Sequence, residues 1–334
     1  MVITALFIGF LFGVLLCYAR VNKFNTISGA AVFKDFTVVK VLATAIGIGS
    51  ALIALEVVAG FTSFKVKPLI VSGVIVGGIV FGVGMAILGY CPGTMVISAA
   101  EGSLDAWLGI LGGLIGGLVF SELYPFIKIY LGPNLGPINL ATYLGEGASL
   151  VVASFIFGIA LVSMAFIINY LEKSKDIKWF YAGLGLAFLN GLAMLPCMLN
   201  SPIRVSAAFP YVADLIVRRE GEYFWKISPD AYWIFYLLLG AFVAGFVSSQ
   251  VRGEFKFILL HENWKKYKNQ CRLSRAIWAL IGGFLIIFGA RLAEGCTSGH
   301  ILSGGMQIAF SSLIFGVFTL ASFFVTGRFF YHRD

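Results

Sequence analysis

Five cysteines carry most of the chemistry open to this chain: Cys17, Cys91, Cys197, Cys271 and Cys296. Cys91 sits in LGYCPGTMVISAAEGSLDAW and Cys296 in ARLAEGCTSGHILSGG, each inside an apolar stretch broken by glycine. Pro92 cannot continue a preceding helix without losing a backbone hydrogen bond, and it suits a first helical turn. With Gly89 and Gly93 it marks a break followed by a half-helix over about 93–100. Thr297 or Ser298 is placed to cap a second half-helix that runs to about residue 303. Free N–H groups and positive dipole ends at such breaks favour an anion, which thiols there would meet. Gly93, Thr94, Thr297, Ser298 and His300 are therefore counted with the two cysteines. The bland alternative is a free cysteine acting as a small buried hydrophobe. Two thiols at matching breaks argue for a site, and without a CxxC the spacing points to no disulfide.

Cys17 and Cys197 lie near the ends of two apolar stretches and are candidates for lining the same pathway, with core packing as the alternative. Cys271, in a basic connection, reads as incidental. A metal would need Cys91, Cys296 and His300 to converge; no metal and no cofactor is expected. Ionisable groups inside a membrane are functional hypotheses by default. Arg291 and Glu294 are three apart on one helical face and can pair locally. Glu101 and Asp105 flank the first half-helix as structural supports, and Glu56 is either a proton group or interfacial. Asn22, Asn25, Thr26 and Ser28, with Asn200, Ser201, Arg204 and Ser206, supply hydrogen-bonding groups in two further broken stretches. Arg204 could attract an anion or simply snorkel.

The elements that must position these residues are legible from composition. The chain has 334 residues, 59% of them hydrophobic and 12% charged, with a mean hydropathy of +0.93. Soluble domains carry about 25% charged residues. The apolar residues run in stretches of about twenty, the span of a bilayer core, where a β-barrel would alternate over about ten. An all-α polytopic membrane protein is predicted. A net charge of +8 reports topology and not nucleic-acid binding. The first stretch, MVITALFIGFLFGVLLCYAR, lacks the flanks of a cleaved signal and reads as a span.

About nine spans are drawn, over 2–19, 38–60, 69–90, 104–125, 146–170, 178–199, 231–249, 274–294 and 308–327. Between them 20–36, 91–103, 200–222 and 295–307 are too broken to cross and too apolar for solvent, so they are read as re-entrant. With the N-terminus outside, fourteen Lys and Arg fall on the inner side and seven on the outer, so the positive-inside rule gives N-out and C-in. GVLLCYARVNKFNTISGAA from Gly13 aligns with GLAMLPCMLNSPIRVSAAF from Gly191, pairing Asn22 with Asn200 and Ser28 with Ser206. GGIVFGVGMAILGYCPGT from Gly77 aligns with GGFLIIFGARLAEGCTSG from Gly282, pairing Cys91 with Cys296. One membrane domain results: a first repeat over 1–125, a connecting span over 126–177 and a second repeat over 178–334 with a basic insertion near 250–273. The inverted 4+1+4 arrangement places a site near the midplane on discontinuous helices. Irregular backbone at that depth survives only in protein or along a cavity.

The two cysteine segments, and LFGVLLCYARVNKFNTISGAAVFKDFTVVK near the start, resemble the YeeE/YedE sulfur-transport family over most of the chain. The resemblance implies a bacterial inner-membrane importer of thiosulfate or a related sulfur anion, and not an enzyme. It also implies an hourglass architecture with cysteines at the constriction. Cys91 and Cys296 fall on the two repeat-closing family cysteines. The third family cysteine is absent from RVNKFNTISGA, where Asn25 or a neighbour takes its place. A cytoplasmic sulfur-carrier protein is the partner such a function would call for, besides the anion and the bilayer. The alternatives are a membrane thiol redox protein using Cys91 and Cys296, or a transporter of another sulfur or selenium species.

Overall fold

Apolar stretches of this length satisfy their backbone in lipid only as helices or closed barrels, and here they form helices. The structure is a computed structural model and describes residues 1–331; the last three residues, counted above with the C-terminal side, lie outside it. The elements are α1 (Val2–Tyr18), α2 (Phe24–Ala31), α3 (Thr37–Val58), α4 (Val71–Leu88), α5 (Pro92–Ala100), α6 (Leu104–Tyr130) and α7 (Ala141–Leu144). There follow α8 (Ala148–Leu171), α9 (Lys178–Met194), α10 (Ala208–Val217), α11 (Glu222–Val251), α12 (Glu262–Tyr267), α13 (Arg272–Leu292), a π-helical turn π1 (Thr297–Gly304) and α14 (Phe310–Phe330). Seven segments are long and apolar enough to cross a membrane: α3, α4 with α5, α6, α8, α11, α13 and α14. The protein is an all-α polytopic membrane protein. α1 and α9, at 17 residues each, rise about 25 Å and sit at the short end of the spanning range.

Packing follows from glycine. A Cβ on Gly9 or Gly240 would overlap a carbonyl across the α1–α11 contact, and one on Gly112 or Gly283 would do so across α6–α13. Small residues let helix backbones approach where lipid supplies no hydrophobic drive. The pairings are reciprocal. α1 lies on α11 as α9 lies on α3, α6 lies on α13 as α14 lies on α4, and α4 and α13 meet at the centre.

Each broken stretch contains a short helix: α2, α5, α10 and π1. Three local expectations are corrected. The second half-helix is π and not α, and its N-cap is Cys296, not Thr297 or Ser298. From Cys296 to Ala309, the N-cap of α14, is one residue more than from Cys91 to Ser103, the N-cap of α6. One extra residue in the same turn is what a π-helix absorbs. The span expected to reach 199 stops at Met194, because Pro196 holds Leu195 extended (ψ 142°). Ser98 donates to the Asn22 carbonyl and Ser303 to the Ile203 carbonyl, the latter at 2.8 Å, so the two stretches are not held as the expected pairing of Asn22 with Asn200 has them.

Candidate functional site

Cys91 and Cys296 occupy the same local position. Each is an extended N-cap, with φ −103° and ψ 169° at Cys91 and φ −127° and ψ −169° at Cys296. Each follows by two residues a left-handed position, Gly89 (φ 77°) or Glu294 (φ 57°), that reverses the chain. A non-glycine residue is uncommon there; Glu294 is held by its carboxylate, which accepts from Lys226 Nζ at 2.5 Å. The Cys91 N–H donates to Thr94 Oγ1 at 2.8 Å, and the Thr94 hydroxyl lies 3.2 Å from Cys91 Sγ. Cys296 Sγ lies 3.3 Å from Ser298 Oγ. Each thiol thus has a hydroxyl neighbour from the first turn of the half-helix that its residue precedes.

Two cavities meet at these turns. One, of about 80 Å³, is lined by Cys91, Thr94, Thr297 and Ser298 together with apolar side chains such as Phe12, Met85, Leu186 and Phe323. The other, of about 200 Å³, is lined by Lys67, Arg204, Ser206, Tyr223, Lys226, Asp230, Arg291, Glu294, Gly295 and Gly299. Gly295 and Gly299 face the charged cavity while Thr297 and Ser298 face the apolar one. The residues around Cys296 thus divide between the two cavities, while Cys296 itself is buried and lines neither.

The charged cavity is held by specific pairs. Arg204 bonds Asp230 at 2.8 Å and lies 5.7 Å from the Trp233 ring centre. Arg291 donates to Ser206 and lies 3.4 Å from the Tyr223 hydroxyl. The expected local pair of Arg291 with Glu294 does not form: Glu294 lies beyond the helix end, where the left-handed turn aims it at Lys226. Lys67, half-buried in the connection before α4, is pushed down to about 7 by withdrawal from water and then by Arg204.

Other predicted residues lie elsewhere. Cys17 is buried, with Sγ 3.7 Å from Glu101. Glu101 also accepts from Asn22 at 2.7 Å and Lys23 at 2.8 Å, which makes it a buried support. Asn25 and Ser28 bond Asn263 and so tie α2 to the basic connection, away from the thiols. His300 is a core residue: its Nε2 lies 2.7 Å from the Ala293 carbonyl, its Nδ1 3.1 Å from Ser312 Oγ, and its ring stacks on Phe315. That spends both ring nitrogens, and no metal-binding cluster occurs among the described residues. Cys197 is exposed on the turn after α9 and is not brought to either cavity. Lys67, Tyr223, Lys226 and Asp230 were not foreseen. Tyr223, Lys226 and Asp230 were findable, since positions three and four apart share one face of α11.

Comparison with known proteins gives the family. A family model described as sulphur transport matches residues 19–325. The chain is 26% identical over 331 residues to a protein named thiosulfate transporter TsuA from Spirochaeta thermophila, covering 95% of this chain and 96% of that one. With paired cysteine caps in a polytopic helical protein and a family match over nearly its whole length, the chain belongs to the sulphur transport family.

Proposed function

We propose that this protein takes up thiosulfate, or a closely related sulfur-containing anion, across a bacterial inner membrane. One observation carries the reading. Cys91 and Cys296 are the N-caps of two half-helices whose first turns line one cavity, and the second turn also lines the charged cavity. The anion enters the charged cavity, passes Cys296 and the hydroxyls of Thr297 and Ser298, and then meets Cys91 and Thr94. A neutral thiol offers a weak S–H donor without adding negative charge, whereas a thiolate would repel a dianion. Helix N-termini add N–H groups and a positive dipole end. The protein acts as a transporter and not as an enzyme.

The reciprocal packing of α1 with α11 and α9 with α3 supports two inverted repeats over 1–125 and 178–334, joined through α8. α1 and α9 then complete nine spans, with the N-terminus outside and the C-terminus in the cytoplasm. A cytoplasmic sulfur-carrier protein would receive the product on the inner side.

The test is uptake of labelled thiosulfate into proteoliposomes. Cys91→Ala and Cys296→Ala should each slow it at least about tenfold, the worth of one hydrogen bond to a charged group. Undiminished uptake in both variants would remove the thiols from the pathway.

A further inference from the structure

Three segments far apart in the chain meet at one end of the bundle: the turn after α2, the end of α12 and the last turn of α14. Gly327 fixes the first to the third, because a Cβ there would overlap the Ala31 carbonyl. Tyr331 fastens the end of α14 by donating to the Ala86 carbonyl at 2.9 Å. Between the segments lies a cavity of about 360 Å³, lined by Lys34, Lys266 and Arg328 together with Phe33, Tyr267 and Tyr331. Three cations thus share one enclosure, and no carboxylate among the described residues lines it.

The cations are crowded and unrelieved. Lys34 Nζ lies 5.3 Å and Lys266 Nζ 5.4 Å from the centre of the same Tyr267 ring. The ring attracts each ammonium, but two like charges gathered on it repel each other. None of the three cations forms an ion pair among the described residues. Asp35, next to Lys34, turns its carboxylate to the Thr37 N–H at 2.9 Å. Phe33 holds a left-handed backbone (φ 58°), uncommon for a bulky residue. Its ring stacks on Phe324 of α14 at 4.7 Å and is still 53% exposed. Strain of this kind clusters at ligand clamps.

The position within the fold says what the cations meet. α14 is long and apolar enough to cross the membrane, Arg328 lies in its last turn, and Phe324 lies one turn further in. Phe329 and Val325 beside them are exposed. The charges therefore sit where a span leaves the hydrocarbon, and the aromatic wall runs on toward the bilayer core. Basic pockets between span ends suit acidic lipid headgroups. We propose that this cavity binds one anionic phospholipid, its phosphate among Lys34, Lys266 and Arg328 and an acyl chain along Phe33 and Phe324. The lipid neutralises the two ammoniums over Tyr267 and braces α2, α12 and α14 against one another. A soluble phosphate would answer the charges and leave Phe33 uncovered.

The experiment is native mass spectrometry of the purified full-length protein, titrated with phosphatidylglycerol or with phosphatidylcholine of the same chains. One saturable phosphatidylglycerol is expected, bound at least about tenfold tighter than phosphatidylcholine. Lys34→Gln, Lys266→Gln and Arg328→Gln should each weaken it about fivefold, the worth of one cation near a membrane surface. Lys175→Gln, exposed in another connection, should leave it unchanged. The three cavity positions are exposed, so their variants should keep the fold; where one does not, the other two decide. Equal affinity for the two lipids would overturn the site, and so would unaltered phosphatidylglycerol binding in the cavity variants. Soluble glycerol phosphate should displace the lipid poorly. If it competes as well as phosphatidylglycerol does, the cavity takes a free phosphate and the proposal fails.

Discussion

Lys67 is the single residue whose charge state should set the working pH. Its ammonium is lowered to about 7 by withdrawal from water and by Arg204 nearby. Below that pH it is charged and adds to the attraction for an anion; above it the charge is lost. Thiosulfate uptake at subsaturating concentration should therefore fall as pH rises through about 7, with the maximal rate less affected. Lys67→Gln should flatten the profile at the low, alkaline level, and Lys67→Arg should hold it high across the range. A profile unchanged in Lys67→Gln would show that this amine does not face the anion. His300 is a counter-example at the same scale. A histidine four residues after Cys296 looked like a pathway group, yet both ring nitrogens are spent on Ala293 and Ser312.

Among the elements, the junction of α4, α6 and α13 holds the first half-helix in place. Arg275, fully buried at the start of α13, donates to the Ile87 and Leu88 carbonyls at 3.1 and 2.7 Å and to Asp105 at 2.5 Å. It satisfies carbonyls that the end of α4 would leave orphaned, two residues before the Cys91 turn. His261 and Tyr90 complete the network around Asp105. Asp105→Asn strands a buried guanidinium and should cost about 3–5 kcal/mol, read as a lower unfolding temperature in detergent. A shift within error would mean Arg275 is served by the carbonyls alone. Gly283→Val should cost about 1–3 kcal/mol by overpacking, because its side chain would meet the Gly109 carbonyl of α6. If thermal stability is untouched, the α6–α13 contact is looser than described.

For the whole molecule, two exposed cysteines report which face looks outward. Cys197 is exposed beside Asn200, which pairs with Lys65 on the charged-cavity side. Cys271 is exposed at the start of α13, at the opposite end of the bundle. A membrane-impermeant maleimide applied to intact cells should label Cys197 and spare Cys271, with both labelled after permeabilisation. The reverse pattern would invert the topology and turn the charged cavity toward the cytoplasm. Cys296, with no exposed surface, should resist the reagent from either side.

Sequence alone determined the class, because lipid forces apolar stretches of about twenty residues into helices whatever their neighbours are. It also located the breaks, since Pro92 and the glycines around Cys91 and Cys296 act on backbone geometry one residue at a time. The partner of each side chain was a different matter. Arg291 with Ser206, Glu294 with Lys226 and Asp105 with Arg275 join residues 68 to 170 positions apart. Periodicity on one helix carries no information about which face of another helix will meet it. The π turn after Cys296 reflects a single extra residue before the next helix, a difference in spacing that no local pattern signals. So the caps were visible in the chain, and the charged cavity beside them was decided by how α11, α13, π1 and the stretch before α10 come together.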